Sequence, residues 1–372
     1  MKRKIIAVIT IVVLISVLQT SFIADAKVYS DTQSHWARTY IDKMTSLSIM
    51  DSTSSTYFYP GNYFKRKDAA KSATMMYREA EMPASPHPFT DVPYSNSYSK
   101  YIKWMYDHGV MAGTDSTTFS PEAYIKRQDF CVVLSNLITW IGFPYSYYEN
   151  KVTYTDDSQI SSYAKDAVYR MQRLNVITEG GAFRPKDYIT RAEAAVMLYK
   201  VWEVGLVLRM PPSIQQKSNW CWAACAEMVA EYRRPNSRNQ SAIVSYIKGS
   251  TVNEGGTSAE QAEGTTYATY NEIHYTWVNY AENYSMLRSD ISNYRPLSVI
   301  LGNYKYTTYR NGGHAMVCLG YVNTGGSLNN NKLFIYDVNT GEYFWFTYSE
   351  LINGTRNRWE GMKYDQTVYS NS

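Results

Sequence analysis

The feature that most constrains this chain is an internal repeat that recurs three times between residues 28 and 201. Each unit opens with an aromatic-x-Asp triplet, continues in a helical pattern, reaches a Phe-x-Pro triplet and enters a second helix at an arginine. Landmarks that keep one order through three copies indicate a repeat architecture. They are Tyr29-Ser30-Asp31, Phe58-Tyr59-Pro60 and Arg66, then Phe89-Thr90-Asp91, Phe119-Ser120-Pro121 and Arg127, then Tyr154-Thr155-Asp156, Phe183-Arg184-Pro185 and Arg191.

Each unit is predicted to be helix, loop, helix, with boundaries at residues 27–80, 86–142 and 150–201. In the third unit Thr190 is placed to cap the second helix, and Glu193 three positions later completes a capping box. A two-helix unit of roughly 50 residues buries too little apolar surface to be stable alone. We therefore expect the three units to pack together as one all-α bundle.

These repeats resemble the S-layer homology (SLH) family over nearly all of residues 28–201. The third unit carries the family's Ile189-Thr190-Arg191-Ala192-Glu193, and the second its Gly109-Val110-Met111-Ala112-Gly113. The resemblance implies a pseudo-threefold bundle that anchors proteins to anionic, often pyruvylated, secondary cell-wall polysaccharides of Gram-positive bacteria. A guanidinium can hold a carboxylate in a two-pronged geometry that lysine cannot copy. The expected polymer-binding residues are Arg66, Arg127, Arg191, Asp31, Asp91, Asp156 and Glu193.

Two departures from the family pattern are expected to weaken one or two of the binding grooves. Lys65 and Lys126 stand where the third unit has Thr190, and the first unit lacks the glycine pair. The alternative to polymer binding is that each arginine pairs with the nearby acid and fixes the start of its helix.

The first 26 residues have the pattern of a secretory signal peptide. Basic residues 2–4 precede an apolar run from Ile5 to Leu18, and Ala24-Asp25-Ala26 supplies a small-x-small cleavage site. The run is about 14 residues, short of the roughly 20 needed to span a bilayer. We expect a secreted protein at the cell wall or cell surface, without a membrane partner. The net charge of +4 is too weak and dispersed to predict nucleic acid as a partner.

The texture of the sequence changes after the third repeat. Residues 202–212 are predicted to form a linker ending in Pro211-Pro212, a dipeptide that disfavours helix. Beyond it, short apolar runs at 297–301, 315–322 and 333–338 predict strands. A helix following Cys221 precedes them, so residues 213–372 are predicted to form a separate α+β domain.

Cys221 is the candidate nucleophile of this domain. Ser218 or Asn219 can cap the helix that follows, which places Cys221 in its first turn. There the helix dipole and free N–H groups favour the thiolate and lower the thiol pKa.

Two histidines of this domain could serve as the base. His314 follows Gly312-Gly313 and precedes an apolar strand, a framing that exposes its ring on a rigid element, whereas His274 lacks such framing. Asp337 ends the next predicted strand and could orient the imidazole, with Asn339 as the weaker candidate.

This constellation resembles the papain-like peptidases of the C39-like group from Gln215 to Asn339. The resemblance implies a cysteine peptidase acting on a peptide or protein substrate without metal or organic cofactor. In that family a glutamine six residues before the nucleophile contributes to the oxyanion hole, which assigns the role to Gln215, with Gln216 as the fallback. The family's aspartate is often followed by proline, and Val338 stands there instead.

Three other interpretations stay open. The enzyme could cut peptidoglycan peptides, as the papain-like NlpC/P60 enzymes do, or the domain could be a non-catalytic surface binder. Cys221 could be a buried structural thiol. Cys225 is expected to face the core, where it could form a disulfide with Cys318, and Cys131 is expected in the core of the second repeat.

Overall fold

A computed structural model describes residues 29–77, 87–143, 152–305, 312–324 and 330–370. The predicted signal peptide lies outside the described residues. In the repeat region each unit contributes two helices. These are α1 Arg38–Ser46 and α2 Arg66–Met75, then α3 Ser99–Asp107 and α4 Arg127–Ile141, then α5 Ser162–Arg173 and α6 Arg191–Val204.

The second helix of each unit begins at the repeated arginine. Its N-cap residue is extended in all three units, and the predicted capping box is confirmed in the third, where the Thr190 side chain accepts from the Glu193 N–H and Glu193 accepts from the Thr190 N–H. Lys65 and Lys126 make no side-chain cap. The departure noted in the sequence therefore removes a helix cap from two units.

Backbone hydrogen bonds join the three units into a closed ring. The Phe64 N–H donates to the Ile189 carbonyl, the Ile125 N–H to Phe64 and the Ile189 N–H to Ile125, all at 2.9 to 3.0 Å. Each arginine reaches the neighbouring unit in the same cyclic order, because its Nε donates to the carbonyl of a Phe-x-Pro phenylalanine. The pairs are Arg66 with Phe119, Arg127 with Phe183 and Arg191 with Phe58, at 2.9 to 3.0 Å.

The repeated aspartates hold their own Phe-x-Pro loops. Asp31 accepts from the backbone N–H groups of Phe58 and Tyr59 at 3.0 and 2.6 Å. Asp91 and Asp156 make the equivalent pairs of bonds. The middle residue of each triplet is a non-glycine with φ between 56° and 60°, a strained conformation that the bidentate carboxylate helps to fix. Their observed role is thus local support of the fold.

The C-terminal region is a mixed helix and sheet structure. Its helices are α7 Cys221–Arg233, α8 Gln240–Lys248, α9 Ser258–Ala268, α10 Tyr284–Ser292 and α11 Tyr348–Asn353. Its strands are β1 Gly205–Val207, β2 Tyr275–Val278, β3 Leu297–Asn303, β4 Gly313–Val322, β5 Lys332–Asp337, β6 Glu342–Thr347 and β7 Met362–Ser370. They form one antiparallel sheet in the order β2-β7-β3-β4-β5-β6, and β1 pairs with β4 beyond the end of β3. No helix among the described residues is long and apolar enough to cross a membrane.

The junction between the regions differs from the predicted linker at 202–212. Helix α6 continues to Val204, and β1 follows at once, pairing with Gly320–Val322 of β4. Leu206 and Val207 are buried there, and the burial of their apolar side chains favours pairing of this segment with the sheet. Tyr294 also donates from its buried hydroxyl to the Met76 carbonyl at 2.9 Å. The connection is therefore packed, and the proline pair lies after the sheet contact.

Candidate active site

Cys221 is the first residue of helix α7. The N-cap is Trp220, without a side-chain cap, so the prediction of Ser218 or Asn219 as N-cap is wrong. Those two residues instead bind the Asn253 side chain. The Asn219 N–H donates to Asn253 Oδ1 at 3.1 Å, and Asn253 Nδ2 donates to Ser218 Oγ at 3.0 Å. The helix is held by a buried face that includes Trp222, Cys225, Met228 and Val229. The thiol consequently sits at a rigid helix start.

The imidazole of His314 lies on β4 and is oriented by Asp337. His314 Nε2 is 2.7 Å from Asp337 Oδ1, and the Asp337 side chain is fully buried. Asp337 also accepts from the Asn339 backbone N–H at 2.9 Å and from the Thr340 hydroxyl at 3.0 Å. Asp337 rather than Asn339 therefore contacts the ring, and Nδ1 is left to face the thiol.

The three groups shift one another's pKa values in the direction of an ion pair. Burial by itself would raise the pKa of the Cys221 thiol, but the hydrogen bond and charge of His314, with the N–H groups of Ala315 and Trp222, lower it below its usual value. Burial would lower the pKa of His314, and the hydrogen bonds to Asp337 and Cys221 raise it to about 9. Burial also opposes ionisation of Asp337, and the His314 hydrogen bond keeps its pKa low. The geometry favours thiolate, imidazolium and carboxylate together.

A tryptophan that the sequence did not single out covers the imidazole. Trp359 lies in the short 3₁₀ helix Asn357–Trp359, with its ring parallel to that of His314 and the centroids 5.7 Å apart. An indole face favours a cation and limits access of water to the ring. The residue lies 45 positions from His314 in a segment without a recognisable motif, so no sequence signal pointed to it.

Gln215 is placed beside the site by its backbone and its side chain. Its N–H donates to the Val338 carbonyl at 2.8 Å, next to Asp337, and its Nε2 donates to the Ser218 carbonyl at 3.0 Å. Its Oε1 is buried and has no hydrogen-bond partner among the described residues. Gln216 is exposed.

The segment that carries Gln215 is fixed by Gln240, a buried residue that sequence reasoning missed. Its Oε1 accepts from the Gln216 N–H at 2.9 Å. Its Nε2 donates to the Ile214 carbonyl and to Glu227, both at 2.9 Å, and to Ser213 at 3.0 Å.

A cleft of about 580 Å³ opens at the thiol. One wall contains Cys221, Trp222 and the loop from Gly255 into the start of α9. Gly256 is required there, because a Cβ would lie 2.4 Å from the Trp222 indole. The opposite wall is a row of the sheet that includes Ile300 and Ala315.

The remaining candidates lie elsewhere. His274 is exposed on the loop before β2. Cys131, Cys225 and Cys318 are buried free thiols, so the Cys225–Cys318 disulfide is absent. Burial raises the pKa of Cys131 and of Cys318 to about 12 and raises that of Cys225. Cys221 is the partly accessible thiol among these four and the one whose pKa is lowered.

Two family models match the chain. The S-layer homology domain matches residues 28–70, 88–131 and 153–195, and the Peptidase_C39 like family matches residues 207–367. The chain carries three SLH repeats followed by a C39-like peptidase domain. The second match begins inside β1, in agreement with the packed junction.

Curated relatives match less than half of the chain. They are an exoglucanase XynX of Acetivibrio thermocellus (26% identical over 47% of this chain), an amylopullulanase of Thermoanaerobacterium thermosulfurigenes (25% over 48%) and an endoglucanase of Bacillus sp. strain KSM-635 (29% over 48%). The matches cover 16%, 10% and 19% of those proteins, so the chain spans less than a fifth of their length. A solved structure described as a C39-like peptidase from Bacillus anthracis matches at TM-score 0.31 and 12% identity, covering 45% of this chain and 98% of that one.

The arginines of the SLH repeats differ in what their guanidinium groups meet. Arg66 and Asp129 line a cavity of about 480 Å³, and Arg191 and Asp68 line one of about 370 Å³. Arg66 also donates to the Ala112 carbonyl at 2.9 Å. In both cavities the arginine comes from one repeat and the acid from the next repeat in the ring.

The equivalent pair between the second and third repeats is a direct ion pair. Arg127 lies 3.0 Å from Glu193, which is one methylene longer than aspartate. Arg184 approaches the same carboxylate at 2.6 Å. The predicted pairing of arginine with acid therefore occurs here, but between repeats rather than within one helix.

Proposed function

We propose that the chain is a cell-surface cysteine peptidase, attached to the wall by its SLH repeats. The observation that carries the catalytic assignment is the Cys221–His314–Asp337 arrangement, in which the thiol pKa falls while the imidazole pKa rises to about 9. A structural thiol has no need of this arrangement, and the three other cysteines have raised pKa values.

In the proposed reaction the Cys221 thiolate attacks the carbonyl carbon of a peptide bond. The C–N bond then breaks as the His314 imidazolium gives its proton to the departing amine, which leaves a thioester on Cys221. Water, deprotonated by the now neutral imidazole, attacks the thioester and releases the carboxylic acid and the thiol. Asp337 keeps the imidazole oriented, and Gln215 Nε2 with the Cys221 backbone N–H stabilises the oxyanion.

For the repeats we propose a pseudo-threefold bundle that binds an anionic, pyruvylated cell-wall polysaccharide on a Gram-positive cell, after export directed by residues 1–26. The ring of backbone and arginine hydrogen bonds supports the bundle. Three relatives with differently named activities share less than a fifth of their length with this chain, as expected of an accessory module. Loss of binding to purified wall in an Arg66/Arg127/Arg191 triple alanine variant tests this role, and undiminished binding contradicts it.

Thiol alkylation tests the catalytic assignment with internal controls. Limited iodoacetamide at neutral pH, followed by peptide mapping, should modify Cys221 and spare Cys131, Cys225 and Cys318. Hydrolysis of casein, compared with release of peptides from purified peptidoglycan, then identifies the substrate class; the wall-binding repeats favour including the second assay. A Cys221 that resists alkylation, with neither substrate turned over, would leave a non-catalytic surface-binding domain.

A further inference from the structure

The cleft beside Cys221 contains a polar group that the catalytic mechanism does not use. Gln261 lies in the first turn of α9 and lines the cleft, yet the residue is only 1% exposed. Its amide Nε2 has no hydrogen-bond partner among the described residues. A buried amide donor without an acceptor is costly and uncommon in folded proteins, so a ligand that supplies the acceptor is a natural explanation.

The surroundings of Gln261 hold the residue in place but give its Nε2 no hydrogen-bond acceptor. Its backbone N–H donates to the Thr257 carbonyl at 2.9 Å, and Thr257 caps the helix in a capping box with Glu260. Glu260 is in turn held by Lys248 at 2.6 Å. The helix start is thus rigid, and the amide cannot move far to find a partner within the protein.

The Ser258 and Gln366 side chains, which also line the cleft, are already paired. Ser258 donates to Gln366 Oε1 at 2.7 Å, and Gln366 Nε2 donates to Asn279. Ile300 on β3 and Ala315 on β4 lie directly across from each other and give this side of the cleft an apolar surface beside Gln366. The described residues that line the cleft include no aspartate, glutamate, lysine or arginine.

We propose that Gln261 is a substrate-binding residue, which donates from Nε2 to an amide carbonyl of the peptide bound next to Cys221. The inference rests on the proposed peptidase function and names a substrate class for it. A subsite without charged side chains, partly apolar and with an unpaired buried amide donor, favours an uncharged residue that offers a carbonyl oxygen. That oxygen belongs either to a carboxamide side chain or to the substrate backbone.

The test uses peptidyl vinyl sulfones with glutamine next to the electrophile and measures second-order labelling of Cys221 in the full chain. Each rate is divided by the rate with iodoacetamide, which reports the reactivity of the thiol itself. Gln261→Met should lower this ratio roughly 10- to 100-fold, the factor expected for one lost hydrogen bond in a buried site. Gln261→Glu keeps the side-chain size, and its ionised carboxylate accepts but does not donate, so labelling at a pH above the pKa of that carboxyl should show a similar loss.

Two modified probes distinguish the sources of the carbonyl. Norleucine in place of glutamine removes the side-chain carbonyl, and a reduced peptide bond removes the backbone carbonyl. With the wild type, the probe that lacks the contacted carbonyl should label Cys221 more slowly than the parent probe. With Gln261→Met the two probes should label Cys221 at the same rate. The matched control is Gln172→Met, which removes a buried amide that is already paired in the third repeat, outside the cleft, and should leave the probe preference in place.

The possible failures are separable. If Cys221 in the wild type is alkylated by iodoacetamide but Gln261→Met and Gln261→Glu keep the wild-type ratio with every probe, the role of Gln261 is overturned and the peptidase function stands. If Cys221 in the wild type does not react with iodoacetamide, the peptidase function fails, and the inference about Gln261 fails with it.

Discussion

The two regions of this molecule use their polar residues in opposite ways. In the SLH repeats one contact is made three times, because each arginine donates to a carbonyl of the neighbouring repeat. In the peptidase domain one thiol, one imidazole and one carboxylate converge from α7, β4 and β5. The first arrangement has three copies of each member, whereas the second has one.

Comparing the two regions also separates residues that stabilise the fold from residues that form a candidate site. The repeated aspartates and arginines stabilise loops and inter-repeat contacts, so their recurrence alone does not identify a ligand site. In the peptidase domain the decisive signs are physical: opposite pKa shifts in one contact pair, and a cleft that reaches the thiol. Variants that remove one residue from each region measure this difference.

The largest effect is expected from Cys221→Ala. Loss of the nucleophile removes the covalent step, so peptide hydrolysis should fall by about 1,000-fold or more. Binding to purified wall should stay at the wild-type level, since Cys221 lies in the peptidase domain. Hydrolysis assays and wall pull-down of the same preparation measure both quantities.

Cys131→Ala is the matched control for this variant. It removes a thiol from the core of the second repeat and should leave the hydrolysis rate per folded molecule intact. Retained hydrolysis in Cys221→Ala would break the comparison, because the activity would then have another origin.

The next effect concerns pH and Asp337. Hydrolysis needs the His314 proton, so the alkaline limb of kcat/KM should lie near pH 9, where the raised pKa of His314 places it. Asp337→Asn removes a cause of that shift, so the limb should move to lower pH and kcat should fall about 100-fold. A limb that stays near pH 9 in the variant would show that Asp337 does not act on His314.

The same pKa shift predicts the sign of a stability change. The folded pKa of His314, about 9, lies above its ordinary value of 6.5. The ion pair therefore contributes fully below pH 6.5, and its contribution is lost as pH rises through about 9. Urea unfolding at pH 6 and pH 10 should show a smaller loss of stability with pH in Asp337→Asn than in the wild type.

The sequence predicted which thiol, imidazole and carboxylate the fold brings together, because each of these residue types stands beside a particular structural signal. Cys221 precedes a helical pattern, His314 follows two glycines at a strand start, and Asp337 ends a strand. Strands β3, β4 and β5 were predictable from their apolar runs. Strands β6 and β7 were missed because they are rich in polar and aromatic residues at partly exposed positions.

Other parts of the site depend on tertiary contacts that leave no local pattern. Trp359, Gln240 and Gln261 have ordinary sequence neighbours, and only the fold places them against His314, the Gln215 segment and the cleft. The linker prediction failed for a similar reason. Gly205–Val207 is three residues long, too short for periodicity to reveal a strand.

Single substitutions in the repeats should sharpen the comparison by separating the three arginines. Arg66→Ala and Arg191→Ala should each weaken wall binding several-fold, because these side chains line open cavities. Arg127→Ala should weaken it less than twofold, since Glu193 already occupies that guanidinium. All three should lower the free energy of unfolding by about 1–3 kcal/mol, because each Nε holds a carbonyl of the next repeat.

Arg127→Ala is therefore the stability-matched control for the other two variants. Wall pull-down gives binding, and urea unfolding gives stability for each. Equal loss of binding in all three would indicate that the arginines act only by supporting the bundle, or that all three grooves bind alike.

The smallest effect is expected from Trp359, whose ring packs against the imidazole of His314. Trp359→Leu removes a ring parallel to the imidazole, with centroids 5.7 Å apart, and with it a preference for the imidazolium. The alkaline limb should move down by less than one pH unit, and kcat/KM should fall by less than about tenfold at neutral pH. Trp36→Leu is the matched control, because Trp36 lies beside His35 in the first repeat, with ring centroids 5.4 Å apart, and is 65% exposed. Trp36→Leu should leave the alkaline limb of kcat/KM in place. If Trp359→Leu does the same, the indole of Trp359 covers His314 without changing the pKa of its imidazole.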